Sequence, residues 1–112
     1  MAAGTAEVLK EVFGHTDFRP LQKEAVDAAL QNRDLLMILP TGGGKSLCYQ
    51  LPALLKEGVT VVVSPLLALM HDQVRALKLQ GIAAEMIGSM QTSEEIGEIV
   101  ARLRNRELKL LY

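Results

Sequence analysis

The chain has 112 residues, 49% apolar and 22% charged, with a net charge of −1. That is the length of one small domain and the composition of a folded chain rather than a disordered one, and it lacks the basic excess usual in nucleic-acid binders. One cysteine, Cys48, excludes an internal disulfide, and with only His15 and His71 beside it a structural zinc site is excluded too. No apolar run approaches the roughly 18 residues of a membrane span. The N-terminus has no charged start before an apolar stretch, so a soluble, cytoplasmic chain is expected.

Along the chain, residues 8–13 open a short helix. A second helix is expected over 20–32, begun at Pro20 and carrying Leu21, Ala25 and Ala29 on one face. The continuous apolar run 34–39 reads as a strand buried on both faces. A Gly-rich turn follows over 40–44, then a helix from about Lys45 to Gly58 with a kink expected at Pro52. The β-branched run 59–63 reads as a second buried strand. Ser64-Pro65 turns into a helix striped by Leu66, Met70, Val74 and Leu77 and ended by Gly81. Residues 83–87 form a weaker strand. Thr92 and Glu95 make a capping box for a helix to about Asn105, and 109–112 look like a fourth strand. Strands alternating with crossover helices define a parallel α/β sheet. The last residues are an apolar strand with no closing helix, so an incomplete domain is expected.

The strongest motif is Pro40-Thr41-Gly42-Gly43-Gly44-Lys45-Ser46. It sits between an expected strand and an expected helix, the setting of a phosphate-binding loop. Glycines let the backbone curl with its N–H groups inward, and that nest with a helix N-terminus attracts anions. Lys45 adds a full charge near the β- and γ-phosphates, and the Ser46 hydroxyl is placed to ligand Mg²⁺ held by ATP. Leu39 stands where the general pattern has its first glycine, five positions before Gly44. The shorter Thr-Gly-x-Gly-Lys-Ser form resembles helicase-type motors. The plain alternative is a Gly-rich connecting turn with a solvated lysine.

Upstream, Leu9, Phe13, Gly14, Phe18, Arg19 and Gln22 are spaced as in motif 0 of RecQ helicases, which this segment resembles. The resemblance implies that Gln22 hydrogen-bonds the adenine edge, that Arg19 packs near base and phosphates, and that His15 stacks on the ring. A Gln amide suits adenine because it both donates and accepts. Phe13 and Phe18 are expected to be packing residues.

The stretch from Ser64 to Val74 resembles motif Ia of the same family. The resemblance implies a turn lying along single-stranded DNA, with Ser64, Pro65, Leu66 and Gln73 as the contacts and a helix N-terminus meeting phosphate. The alternative is an ordinary strand-to-helix turn with Leu66 and Met70 in the core. Gly88-Ser89 occupies the place of a further turn in that family, where a nucleic-acid role is the weaker reading.

The resemblance covers residues 9–112. It implies a P-loop NTPase (RecA-like) fold and the front of the first ATP-binding lobe of a 3′-to-5′ DNA helicase. Such an enzyme acts in recombination and repair, in the nucleoid or nucleus. No Asp-Glu-x-His box follows the glycine loop in these residues, and the second lobe with its arginine finger is not among them. The 112 residues by themselves are expected to bind nucleotide with negligible hydrolysis. The competing readings are another P-loop enzyme such as a small-molecule kinase, an RNA helicase of the same superfamily, and a non-catalytic nucleotide-binding fragment.

Overall fold

A computed structural model describes residues 4–39 and 44–112. The chain divides into two compact units, Met1–Glu57 and Gly58–Tyr112.

The described part of the first unit is helical: α1 (Thr5–Glu11), α2 (Gln22–Leu30) and α3 (Leu47–Leu55). Val8 and Leu9 of α1, Val26 of α2, and Leu47 and Leu51 of α3 form its core. Burying each of the larger aliphatic side chains stabilises the unit by roughly 2 kcal/mol. Phe13 and Phe18 pack against this cluster, as expected. Pro52 lies inside α3, and Gly58 follows at φ 85°.

Two expectations fail in this unit. Residues 34–39 form no strand, and Leu36 and Ile38 are 88% and 84% exposed. A strand buried on both faces needs paired neighbours and covering helices, and no other described segment of this unit is a strand. The core face of α2 is Gln22, Ala25, Val26 and Ala28, not the face headed by Leu21. Leu21 takes a left-handed conformation (φ 71°) just before the helix and turns its side chain outward.

The second unit runs β1 (Thr60–Val61), α4 (Leu67–Leu79), β2 (Ala84–Glu85), α5 (Ser93–Arg104) and β3 (Leu110–Leu111). Its sheet is parallel throughout, in the order β1-β3-β2. Thr60 and Ala84 both pair with Leu110, and Leu110 is fully buried at the centre. Helices between successive strands make this a small α/β unit, in agreement with the alternation in the sequence.

Residues 59–63 are not buried on both faces. Thr60 and Val62 are half-buried, whereas Val61 and Val63 are 62% and 92% exposed. β1 is an outer strand with one covered face, so its side chains alternate. The stripe of α4 is Met70, Val74 and Leu77, and Leu66 lies outside it as the exposed N-cap. Its extended backbone (φ −101°, ψ 93°) takes Leu66 off the helical period.

The start of α5 matches its reading. The Glu95 N–H donates to Thr92 Oγ1, and the Thr92 N–H donates to Glu95 Oε1 at 3.1 Å. The helix ends at Asn105. Glu85 of β2 is bridged to Lys78 of α4 at 2.9 Å and to Arg102 of α5, tying both crossover helices to the sheet.

Candidate nucleotide site

α1 ends in a turn that aims the next residues. Gly14 adopts φ 74°, its N–H donates to the Lys10 carbonyl, and the His15 N–H donates to the Leu9 carbonyl. Two such bonds close a helix and need a left-handed residue, which glycine supplies without strain. His15 and Arg19 are left exposed, while Gln22 at the start of α2 is only 4% exposed.

The buried Gln22 amide joins two distant parts of the sequence. Its Oε1 accepts from the Arg19 N–H at 2.8 Å, and its Nε2 donates to the Gly44 carbonyl at 3.0 Å. Each atom keeps one further bonding capacity, a lone pair on Oε1 and a hydrogen on Nε2. Gly44 has φ 77°. A Cβ there would run into Gln22 Nε2, so the close approach requires glycine. The Gly44 carbonyl also accepts from Cys48 Sγ at 3.8 Å. Cys48 is buried, and burial pushes its thiol pKa up.

After Gly44 the chain passes Lys45 and Ser46 into α3. The Cys48 N–H donates to Lys45 O, and the Gln50 N–H donates to Ser46 O at 2.9 Å. Ser46 is the N-cap but its side chain makes no capping bond. A cavity of about 190 Å³ opens here, lined among others by His15, Arg19, Gln22, Gly44 and Ser46. Those five sequence-identified residues are therefore brought together. Lys45 is exposed and is not part of the lining. Thr41, Gly42 and Gly43 lie outside the described residues.

Sequence reasoning missed Asp17 and Gln50, which also line this cavity. Gln50 is 7% exposed and stands four residues after Ser46. Helical spacing puts those two on one face of α3, so the signal was present. Among the described residues, no cluster of three or more His, Cys, Asp or Glu side chains could hold a metal ion. Mg²⁺ usually takes only one or two protein ligands and keeps water and substrate phosphate for the rest. An uncommitted Ser46 hydroxyl on the cavity wall fits that requirement as a single ligand.

In the second unit, the residues read as nucleic-acid contacts are partly gathered. Ser64 Oγ accepts from the Leu66 N–H at 3.2 Å, and Leu66 is 59% exposed. Ser64 lines a hollow of about 240 Å³ with Val61, Val63, Met70 and Tyr112, at the ends of β1 and β3. Pro65, Leu66 and Gln73 are not among the lining residues. Gly88 and Gln91 form a tight loop: Gly88 N–H donates to Gln91 Oε1, and Gln91 Nε2 donates to Met86 O.

Residues 19–112 match the DEAD/DEAH box helicase family, and the chain belongs to that family. Within it the chain is similar to RecQ-type DNA helicases. It is 49% identical over 106 residues to an ATP-dependent DNA helicase RecQ of Synechocystis sp., covering 95% of this chain and 22% of the relative. It is 50% identical to the RecQ of Haemophilus influenzae over 94% of this chain and 17% of that protein. The mouse ATP-dependent DNA helicase Q1 is 44% identical, over 95% of this chain and 17% of its own length. The chain thus spans about a fifth of these relatives. Among the described residues, no helix is long and apolar enough to cross a membrane.

Proposed function

We propose that this chain is the nucleotide-binding front of the first RecA-like lobe of a RecQ-type motor. The parent enzyme would couple ATP hydrolysis to 3′-to-5′ DNA unwinding in recombination and repair, in the nucleoid or nucleus. The observation that carries the reading is the Gln22 amide, held between Arg19 and the last glycine of the phosphate-loop motif. One buried group then contacts the base while bonded to the loop that holds the phosphates.

In this reading His15 stacks on the adenine ring and Arg19 packs near the base and phosphates. Thr41, Gly42, Gly43 and Gly44 supply backbone N–H groups, and Lys45 supplies charge to the β- and γ-phosphates. Ser46 is the protein ligand to Mg²⁺, which neutralises phosphate charge when bound. Ser64, Pro65, Leu66 and Gln73 form the DNA-facing turn. These 112 residues contain no Asp-Glu-x-His box, so the chain by itself binds ATP with negligible turnover.

The test is equilibrium binding of labelled ATP to the 112-residue chain and to Lys45→Ala. The variant should bind at least about tenfold more weakly, since it loses a charge-assisted contact of about 1.5–3 kcal/mol. Equal binding by the two would remove the basis of the reading. ATP should also displace the label far better than GTP.

A further inference from the structure

We propose that a hollow beside α4, in the second unit, binds an acidic peptide segment carrying one bulky apolar side chain. The site is independent of the nucleotide reading. It measures about 340 Å³ and is lined by His71, Val74, Arg75, Lys78, Leu79 and Met86. That volume is within the range of ligand-binding clefts, about 300–1,000 Å³.

Its floor is apolar. Val74 and Met86 are 5% and 8% exposed, and Leu79 stands at the rim 81% exposed. An apolar side chain left in water beside an apolar floor gains by being covered. The rim is cationic. Among the described residues, Arg75 and Lys78 line the hollow and no carboxylate does, and Arg102 joins Lys78 through their shared partner Glu85. Lys78 and Arg102 share the single negative charge of Glu85, and Arg75 lines the hollow beside Lys78, so positive charge exceeds negative here, in a chain whose net charge is −1.

The two features select the occupant. Nucleic-acid phosphate would use the cations and leave Val74, Leu79 and Met86 without a partner. An uncharged apolar ligand would leave the cations unused. A peptide with carboxylates flanking a phenylalanine or leucine satisfies both, with the apolar residue as anchor and the charges on the rim.

The experiment is fluorescence anisotropy of the 112-residue chain with a labelled peptide of four aspartates followed by one phenylalanine. Saturable binding that weakens with added salt is expected. Leu79→Asp and Arg75→Glu should each weaken it by about tenfold or more, and Arg75→Gln by less in the same direction. Both positions are exposed, and thermal unfolding of each variant checks the fold. Peptides with serine for aspartate, or alanine for phenylalanine, should bind more weakly. The proposal is overturned by absence of saturable binding, or by folded variants that bind as well as the parent. It is equally overturned if labelled oligothymidine binds more tightly and loses affinity in the same variants, which would make the surface a nucleic-acid contact.

Discussion

Gln22 Nε2 donates to the carbonyl of Gly44 at 3.0 Å, across 22 residues of sequence. The same amide accepts from the Arg19 N–H. Arg19, Gln22 and Gly44 are thus one hydrogen-bonded assembly within the first unit. Any change at either end should be felt at the other.

Gln22→Ala removes both bonds at a site where the side chain is buried, taking that acceptor from the Arg19 N–H and leaving the Gly44 carbonyl only its Cys48 contact. The expected loss is roughly 1–3 kcal/mol of stability. ATP affinity should fall about tenfold, as for loss of one to two neutral hydrogen bonds, and GTP affinity by clearly less, since GTP loses only the anchoring of the loop. Competition titrations with the two nucleotides give the answer, and equal losses for both would count against base recognition by Gln22.

Gly44→Ala imposes a side chain on a φ 77° backbone and pushes a methyl into the Gln22 amide. The left-handed conformation alone costs about 1–2 kcal/mol. Urea unfolding should show a loss of at least that size, with weaker ATP binding. In a Gln22→Ala background the collision is gone, so the double variant should lose less than the two single losses together, by roughly 0.5–1 kcal/mol. Strict additivity would mean that the two residues do not meet in solution.

Thr92→Ala removes the cap of α5 and should lower stability by about 1 kcal/mol. The Thr92 backbone N–H, and then its hydroxyl, hold the Glu95 carboxyl below its ordinary pKa. A carboxyl with a lowered folded-state pKa adds stability above the ordinary carboxylate range. That contribution is lost as pH falls through the lowered value. The difference between the parent and Glu95→Gln should therefore be largest near neutral pH and shrink in acid. Circular dichroism followed against urea at both conditions measures it, and a difference that grows in acid would refute the capping account.

Cys48 is buried against the Gly44 carbonyl, with its thiol pKa pushed up by burial. At neutral pH the reactive thiolate is scarce. Iodoacetamide should label the native chain much more slowly than the urea-unfolded chain. Equal rates would show that this part of α3 opens freely.

Much of the candidate site was legible because its signals are short. Phe13-Gly14 and Thr92-x-x-Glu95 act through bonds within one turn, so a few adjacent residues specify them. The glycine loop announces itself through backbone freedom and one lysine. Gln50 was equally readable from its spacing to Ser46 on α3, but a lone amide in an apolar helix does not attract notice.

Burial was less legible, because a hydrophobic pattern states what could be covered and not what covers it. Residues 34–39 carry the composition of a doubly buried strand, yet Leu36 and Ile38 face water. Val61 and Val63 do so too on an outer strand. Leu66 fits the helical stripe of α4 by number, but its extended backbone takes it off the stripe.

By itself the sequence determined the local chemistry: where a helix caps and where the backbone must turn left-handed. Those depend on bonds within a few residues, whose energies are set by side-chain type and φ preference. Only the tertiary structure decided that Gln22 reaches Gly44, that Glu85 holds Lys78 and Arg102, and that a cationic rim surrounds an apolar floor beside α4. Those meetings join different elements of the fold, and packing in three dimensions selects them.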